Sequence, residues 1–575
     1  MTKRIRLQTW LLFLVLYTIL PSYAEAETLY TRPVAACTHN GDGTAYACAA
    51  SPGATGAWTG IGNISWGIGA AKVSNGETLF VCGYHDAGSA VSDHNIAPTT
   101  TAIIDGACPG DAGSLMSANH SLTSGWIGPD AFGAYRHTGV GGDSTAHIAQ
   151  LVNGIPVRVP IRKSAVPDGT WAAGSFYHNV GGSILYLKTI NGVSPNSTSV
   201  YTQTTGAVSF NTIGATVQNL TIYGLSSSSC IAVAASVEAK ILNNTMKWCA
   251  TTAIAVTAAS NRLVITGNDI SESGNGISYT SVDTANSSNN TVVTANVIHD
   301  LDQYRVYDAF TTDNIAILIQ GGDDNLFSLN TISHLAGSCV KLYSFAGQSL
   351  KRTTVSSNTC EDISNLNPSL PTNQMVGILN GSTNAAHVAN DVVDNVVTGN
   401  FLKDITGTCF WAKSSQPTVG QPYTWTNNTA VNCSTGLLIE DSENGNIGFV
   451  FKNNIFVNAT INIDHTQNGS DSLVNIHLDY NRYYPDGASS FEWNGTKSAF
   501  AAWKTNSSQD TNSSITNPSL TSTYRTPANS SLRRAGESGV VCKDVRGRAC
   551  YPDHPDIGAY QATSGDPAST RTLVN

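Results

Sequence analysis

From about residue 211 to residue 480 the chain repeats one phrase: an Asn, an apolar residue usually two places later, a polar turn, then a short run of alternating apolar residues. The Asn falls at Asn219, Asn244, Asn268, Asn296, Asn330, Asn358, Asn400, Asn428 and Asn454, at intervals of 25, 24, 28, 34, 28, 42, 28 and 26 residues. A constant phrase at variable spacing predicts a solenoid whose short coils differ in loop length; propellers and helical solenoids have longer periods or helical patterning. Each Asn is expected at a tight turn, tolerating a left-handed backbone and bonding its amide to the Asn of the next coil. Two places on, Met246, Ile270, Ile298, Ile332, Cys360, Leu402, Ala430 and Phe456 supply one inward apolar column, with Ile222 three places on in the first repeat. Loops would not hold an apolar residue at one offset in eight repeats of nine.

Short strands follow each turn: Ile231 to Ala234, Ile254 to Thr257, Ile277 to Thr280, Ile315 to Gln320, Val340 to Tyr343, Val376 to Leu379, Phe410 to Lys413 and Leu437 to Glu440. Alternation points Ile277, Ile315, Val340, Val376, Phe410 and Leu437 inward and Ser278, Ala316, Lys341, Gly377, Trp411 and Leu438 outward. The next outward row reads Thr280, Leu318, Tyr343, Leu379, Lys413 and Glu440. The expected fold is all-β, a right-handed parallel β-helix with a capped N-terminus and a looser C-terminal cap.

Around the repeats, residues 27–110 read as the N-terminal cap and first coils, with a firm strand from Thr78 to Val81. Residues 111–210 read as an irregular region closing in a hairpin, Trp171 to Lys188, whose second strand, Ile184 to Lys188, leads into the coils. Residues 481–561 are expected to form C-terminal coils and a cap, with a short helix around Ala499 to Lys504 and a closing strand near Asp556 to Tyr560; residues 562–575 read as a disordered tail.

The first 26 residues change the picture. Lys3, Arg4 and Arg6 precede an apolar run from Trp10 to Leu20 and the small residues Ser22, Ala24 and Ala26, the pattern of a cleavable signal peptide. The run is about half the ~20 residues a membrane span needs, so the mature chain is expected to be soluble, secreted or periplasmic, without a membrane partner. Twelve cysteines suit an oxidising compartment and fall into sequence-local couples: Cys37 with Cys48, Cys82 with Cys108, Cys230 with Cys249, Cys339 with Cys360, Cys409 with Cys433, and Cys542 with Cys550. No Cys-x-x-Cys occurs, which speaks against metal ligation. Charged residues make up 12% of the chain, too few to coat ordinary amphipathic helices. With a net charge of −10 and no basic run after the leader, nucleic acid is excluded as a partner, and an acidic glycan would need a local basic site or a bridging cation.

Three stretches carry a family resemblance: NGDGTAYACAASPGATGAW leading to NGETLFVCG; VTANVIHD, DNIAILIQGGDDNLFSLNTIS and VTGNFLKD; and PANSSLRRAGESG with DVRGRACYPDHPDIGAY. With them the chain resembles secreted bacterial right-handed parallel β-helix repeat proteins of the pectate-lyase-like superfamily, with a choice-of-anchor Q type C-terminal region. The resemblance implies contact with polysaccharide, since the architecture is shared by polysaccharide lyases, polygalacturonases and other glycosidases, uronan epimerases and non-enzymatic adhesins. The paired Asp of Gly321-Gly322-Asp323-Asp324-Asn325 is similar to the double Asp of polygalacturonases, but the companion Gly-His-Gly and Arg-x-Lys motifs are absent.

Long insertions mark the working side of a solenoid. They fall at 300–313 and between Ser364 and Val397, with shorter ones at 345–352 and 415–424, and the outward rows between them carry Gln320, Lys341, Tyr343, Trp411, Lys413 and Glu440. β-Elimination on a uronate needs a base and a cationic partner for the carboxylate. Lys341 is the candidate base, with Lys413 or Arg352 nearby to favour its neutral form, Arg305 to neutralise the carboxylate, and Asp302, Asp308 and Asp313 to hold Ca²⁺. Glycoside hydrolysis needs two carboxyls, for which Asp308, Asp313, Asp323 and Asp324 are available; Asp323 and Asp324 also fit an ordinary turn. His299 and His334 occupy nearly the same repeat position and would serve as base, ligands or plain turn residues, while Tyr343 and Trp411 would contact sugar. A non-catalytic glycan-binding surface protein fits the composition equally well.

Overall fold

A computed structural model describes residues 28–561 apart from 34–35, 86–95, 118–119, 123, 141–147, 153–154, 160, 164, 180, 198–199, 203–207, 211–213, 225–228, 250, 258, 281–288, 302–313, 345–347, 365–374, 383–391, 414–422, 442–447, 468–475, 528–529 and 552. The leader and the last fourteen residues lie outside the described residues, as do Asp302, Arg305, Asp308 and Asp313.

Each coil is three strands. In one of them Val264–Thr266 runs into the turn residues Gly267 and Asn268, then Asp269–Ser271, then Asn275–Thr280. Every strand pairs in parallel with its counterpart in the next coil: Ile265 with Val293, Ile270 with Ile298, and Ile277 with Ile317. Stacked in this way, the pre-ladder strands form one 14-stranded sheet, and the post-ladder and closing strands together form a 22-stranded sheet that bends along its length. The result is a right-handed parallel β-helix with one apolar core running from Leu29 to Trp503. Aliphatic side chains fill the early coils, whereas Phe410, Trp425, Phe451, Phe456 and Tyr483 stack through the late ones.

The ladder comprises Asn244, Asn268, Asn296, Asn330, Asn358, Asn400, Asn428, Asn454 and Asn481, each buried. The Oδ1 of Asn268 accepts from both the backbone N–H and the Nδ2 of Asn244 at 3.0 Å, and its own Nδ2 donates to Asn296 Oδ1 and to the Ile241 carbonyl. Every buried polar atom of the amide is thus satisfied across three coils. The left-handed residue is not the ladder Asn but the one before it, such as Asn243, Gly267, Ala295, Leu329, Gly399 and Asn453. This corrects two expectations. Asn219 is such a left-handed residue (φ 57°), its amide bonded to Asp105, and Leu220 takes the ladder place. That puts Ile222 two places on, in line with Met246. The ladder instead gains Asn481, whose inward partner two places on is Tyr483.

Residues 111–210 are not irregular. The strands Ser114–Ser117 and Val208–Phe210 belong to the coils, pairing with Thr221–Gly224 and Ile231–Ala234, and the strands between them form two four-stranded sheets inserted between coils. The hairpin Ser175–Asn179 and Ile184–Lys188 belongs to one of them, antiparallel to Tyr135–Thr138, and does not lead into the coils. Trp126, Phe176, Leu185 and Leu187 give this insertion its own core. At the far end, helix Phe500–Ser507 covers the last coil, and Asp510, fully buried, ends the ladder. Its carboxylate accepts from Asn481 Nδ2, Ser513 Oγ, Trp503 Nε1 and the Tyr483 hydroxyl. Burial pushes this carboxyl above its usual range while those donors pull the other way. The segment from Asp556 to Tyr560 is a set of bends rather than a strand. It belongs to a strap along the ladder corner, where Asn427 Nδ2 donates to the Asp556 carbonyl and the Gly558 N–H to the Asn453 carbonyl. All six local cysteine couples are disulfides.

Candidate functional site

The closing strands present two outward columns. One runs Ser278, Leu318, Lys341, Leu379, Trp411, Leu438, Asp464 and Glu492. Beside it lie Thr280, Gln320, Tyr343, Gly381, Lys413 and Glu440. Lys341 stands outward, between the buried Val340 and Leu342. The sequence places Lys341, Tyr343, Trp411, Lys413 and Glu440 in their observed columns. Two coils are displaced, however: Leu318 and Leu379, not Ala316 and Gly377, flank Lys341, and Gln320 and Gly381 flank Tyr343. Likewise Ile317 and Ile378, not Ile315 and Val376, join the inward row of Ile277 and Phe410.

The displacement has a physical cause in the bend where post-ladder and closing strands meet. Ala253, Ala316, Cys339 and Cys409 turn into the core there, and a side chain on Gly377 would strike Leu402 and Ile405. The bend breaks simple alternation, so both expected outward positions, Ala316 and Gly377, face the interior.

The late part of this face is the more heavily functionalised. Lys413 Nζ lies 3.3 Å from Glu440 Oε1 and 5.3 Å from the centre of the Trp411 ring, and all three side chains are half-buried. The Trp411 indole N–H finds no acceptor among the described residues. Asp464 and Glu492 extend the Trp411 column by two coils, with Lys497 Nζ 3.9 Å from Glu492. Sequence reading stopped at Glu440 and missed them; the alternation of Ile461, Ile463 and His465 was the available signal. His465 points inward in that run, and burial lowers its imidazole to about 4.

Other candidates lie elsewhere. Asp323 and Asp324 sit in the turn before Leu326–Ser328, clasped by Arg352 at 3.3 and 2.7 Å; Asp323 also accepts from Ser349 and the Lys351 N–H. The Arg352 hydrogen bonds hold the Asp324 carboxyl below its usual range, the wrong direction for a general acid, and commit the guanidinium away from Lys341. His299 and His334 do not share a row, since His299 pairs with Ser333. His299 bonds Asp269 and Asp300 at 3.0 and 2.6 Å, and His334 lies 3.4 Å from Asp362. Among the described residues no three His, Cys, Asp or Glu side chains converge as a metal site, and no helix is long and apolar enough to cross a membrane.

No family model matches the chain, and no curated protein matches its sequence. Among solved structures it is similar to pectate lyase Pel9A, at 16% identity and TM-score 0.40, covering 63% of this chain and 85% of the other. A glycoside hydrolase gives 10% identity, TM-score 0.44 and coverage of 76% and 96%. The catalytic domain of a GH87 alpha-1,3-glucanase in complex with nigerose gives 12%, 0.38, 74% and 65%. At this level these are likenesses of outline, and the β-helix assignment rests on the chain's own strand register.

Proposed function

We propose that this is an exported carbohydrate-active protein that lays an extended, uronate-containing polysaccharide along the closing-strand face and cleaves it by β-elimination. The observation behind this reading is that Lys341 and Tyr343 stand outward on one strand, and Trp411 and Lys413 outward on the strand two coils on. Lys341 would take the proton from C5; its electron pair would form the C4–C5 double bond, and the glycosidic oxygen would leave C4 and gain a proton from solvent. Trp411 would stack on a sugar ring and Lys413 would face a carboxylate. Arg305 is assigned to the same carboxylate, and Asp302, Asp308 and Asp313 to Ca²⁺, as expectations from sequence. Export is supported by the leader and by six disulfides.

A second reading, glycoside hydrolysis, is favoured by the register of Asp464 and Glu492, with Glu440 in the adjoining column. Carboxylates on neighbouring coils stand roughly 4.8 Å apart at the backbone, within reach of the ~5–9.5 Å separations that hydrolysis uses. Incubation with uronate-containing and neutral polysaccharides separates the readings. Ultraviolet absorbance from unsaturated ends, sensitive to chelator, is the expected result. New reducing ends without that absorbance favour the carboxylates, and neither product leaves a glycan-binding surface protein.

A further inference from the structure

The bend between post-ladder and closing strands carries a second groove of about 580 Å³, away from the closing-strand columns. One rail is Asp362, Asp404, Asn432 and Asn458, one per coil, each with a left-handed backbone. The other is Ser364, Thr406, Ser434 and Thr460, two residues further on in each coil. Between the rails Ile363, Ile405 and Cys433 pair in register and turn into the core with Ala459, closing the floor.

A left-handed Asx row alone would be turn chemistry. The hydroxyl rail adds to it: Thr406 Oγ1 and Ser434 Oγ each donate to a carbonyl of the preceding coil, at 3.3 and 2.6 Å, which leaves their lone pairs as acceptors. In earlier coils the described corresponding places are Gly274 and the buried Ala336, and the inserted sheets cover the start of the left-handed row, while further along it His334 is open. Trp248 packs against Tyr223 and Ala149, and Glu272 lies 3.7 Å from Arg158 of the inserted sheets. Over the four late coils no described residue covers the row, and the second rail changes together to Ser, Thr, Ser and Thr, with Thr406, Asn432, Ser434, Asn458 and Thr460 exposed.

We infer that this trough binds a neutral, hydroxyl-rich polysaccharide chain lying parallel to the cylinder axis. Each coil offers an amide or carboxylate on one side and a hydroxyl on the other, repeating every ~4.8 Å, a rise comparable to one sugar unit of an extended chain. No Lys or Arg lines the trough, and the neighbouring Lys403 is held by Asp404 at 2.8 Å, so an anionic glycan finds only like charge. The site would anchor substrate-bearing material while the other face works on a different chain.

Calorimetric titration of the full chain with neutral hexaoses of glucose, xylose and mannose, against hexagalacturonate, tests this. At least one neutral hexaose binds wild type. Binding weakens about tenfold in Asn432→Ala/Asn458→Ala and, independently, in Thr406→Val/Ser434→Ala, as expected for one or two lost hydrogen bonds; it is unchanged in Lys341→Ala. The second pair removes hydroxyls from exposed positions and keeps the test open if the first misfolds. The inference is overturned if no neutral hexaose binds, if both pairs bind like wild type, if hexagalacturonate binds tighter than every neutral chain, or if Lys341→Ala abolishes binding.

Discussion

The ladder corner and the closing-strand face obey opposite rules. From Asn244 to Asn481 every coil passes from one strand to the next at the corner through the same two residues, a left-handed one and an Asn, with nothing inserted; only before Asn244 does the rule relax, with Leu220 in the Asn place and residues 106–113 between Ile103–Asp105 and Ser114–Ser117. On either side of the closing strands the connection lengths vary from coil to coil, while the strands themselves stay in register. The difference lies in where polar groups are satisfied. A ladder Asn gives and takes hydrogen bonds on both neighbouring coils with its side chain buried, so an added residue would orphan several groups at once. A loop at the open edge satisfies its backbone in water and costs little to lengthen. Register is set at one edge of the coil and variety is expressed at the other.

Breaking the corner should have the largest effect. Asn358→Ala removes the acceptor for the Asn330 N–H and Nδ2 and the donor to Asn400 and Phe327, all buried. A loss of about 3–5 kcal/mol in denaturant unfolding is expected. Lys341→Ala, by contrast, should leave stability within about 0.5 kcal/mol yet lower cleavage by roughly 10²–10⁴-fold, measured by the rate of unsaturated-end formation.

At the end of the ladder, burial raises the Asp510 carboxyl above its unfolded value, so its contribution to stability is fully present below the unfolded pKa and is lost as pH rises through the folded one. Unfolding of wild type and Asp510→Asn should therefore differ in slope, wild type gaining stability relative to the variant as pH falls through the folded pKa towards the unfolded one. The smallest effect belongs to the Arg352 clasp. Asp324 is lowered, so its contribution is present above the unfolded pKa and is lost as pH falls through the folded one. The pair is well exposed, and Arg352→Ala should cost only about 0.5 kcal/mol at neutral pH.

The same contrast explains what could be read from sequence. Eight of the nine expected ladder residues were legible because burial and reciprocal hydrogen bonding tolerate only Asn. Asn219 misled because the left-handed place before the ladder also favours Asn, as at Asn243, Asn427 and Asn453. Cysteine pairing was legible because bridges join neighbouring coils at the bend, so their partners fall about one coil apart in sequence, as Cys409 and Cys433 do at a separation of 24 residues. The rows of the working face were only half legible: alternation identifies the outward side chains of Ile277 to Thr280, but small residues at the bend, Ala316 and Gly377, read as members of the exposed row. The inserted sheets were illegible because their short antiparallel strands lie in Gly-rich sequence without the repeat phrase.

Cysteine pairing across neighbouring coils tests most directly whether the ladder fixes the neighbours on the working face. Leu318→Cys/Lys341→Cys should form a seventh disulfide, found by mass spectrometry of a non-reduced digest, because these residues face each other in register. Ala316→Cys/Lys341→Cys should not. A bridge in the second pair and none in the first would contradict the register and with it the set of side chains assigned to the site.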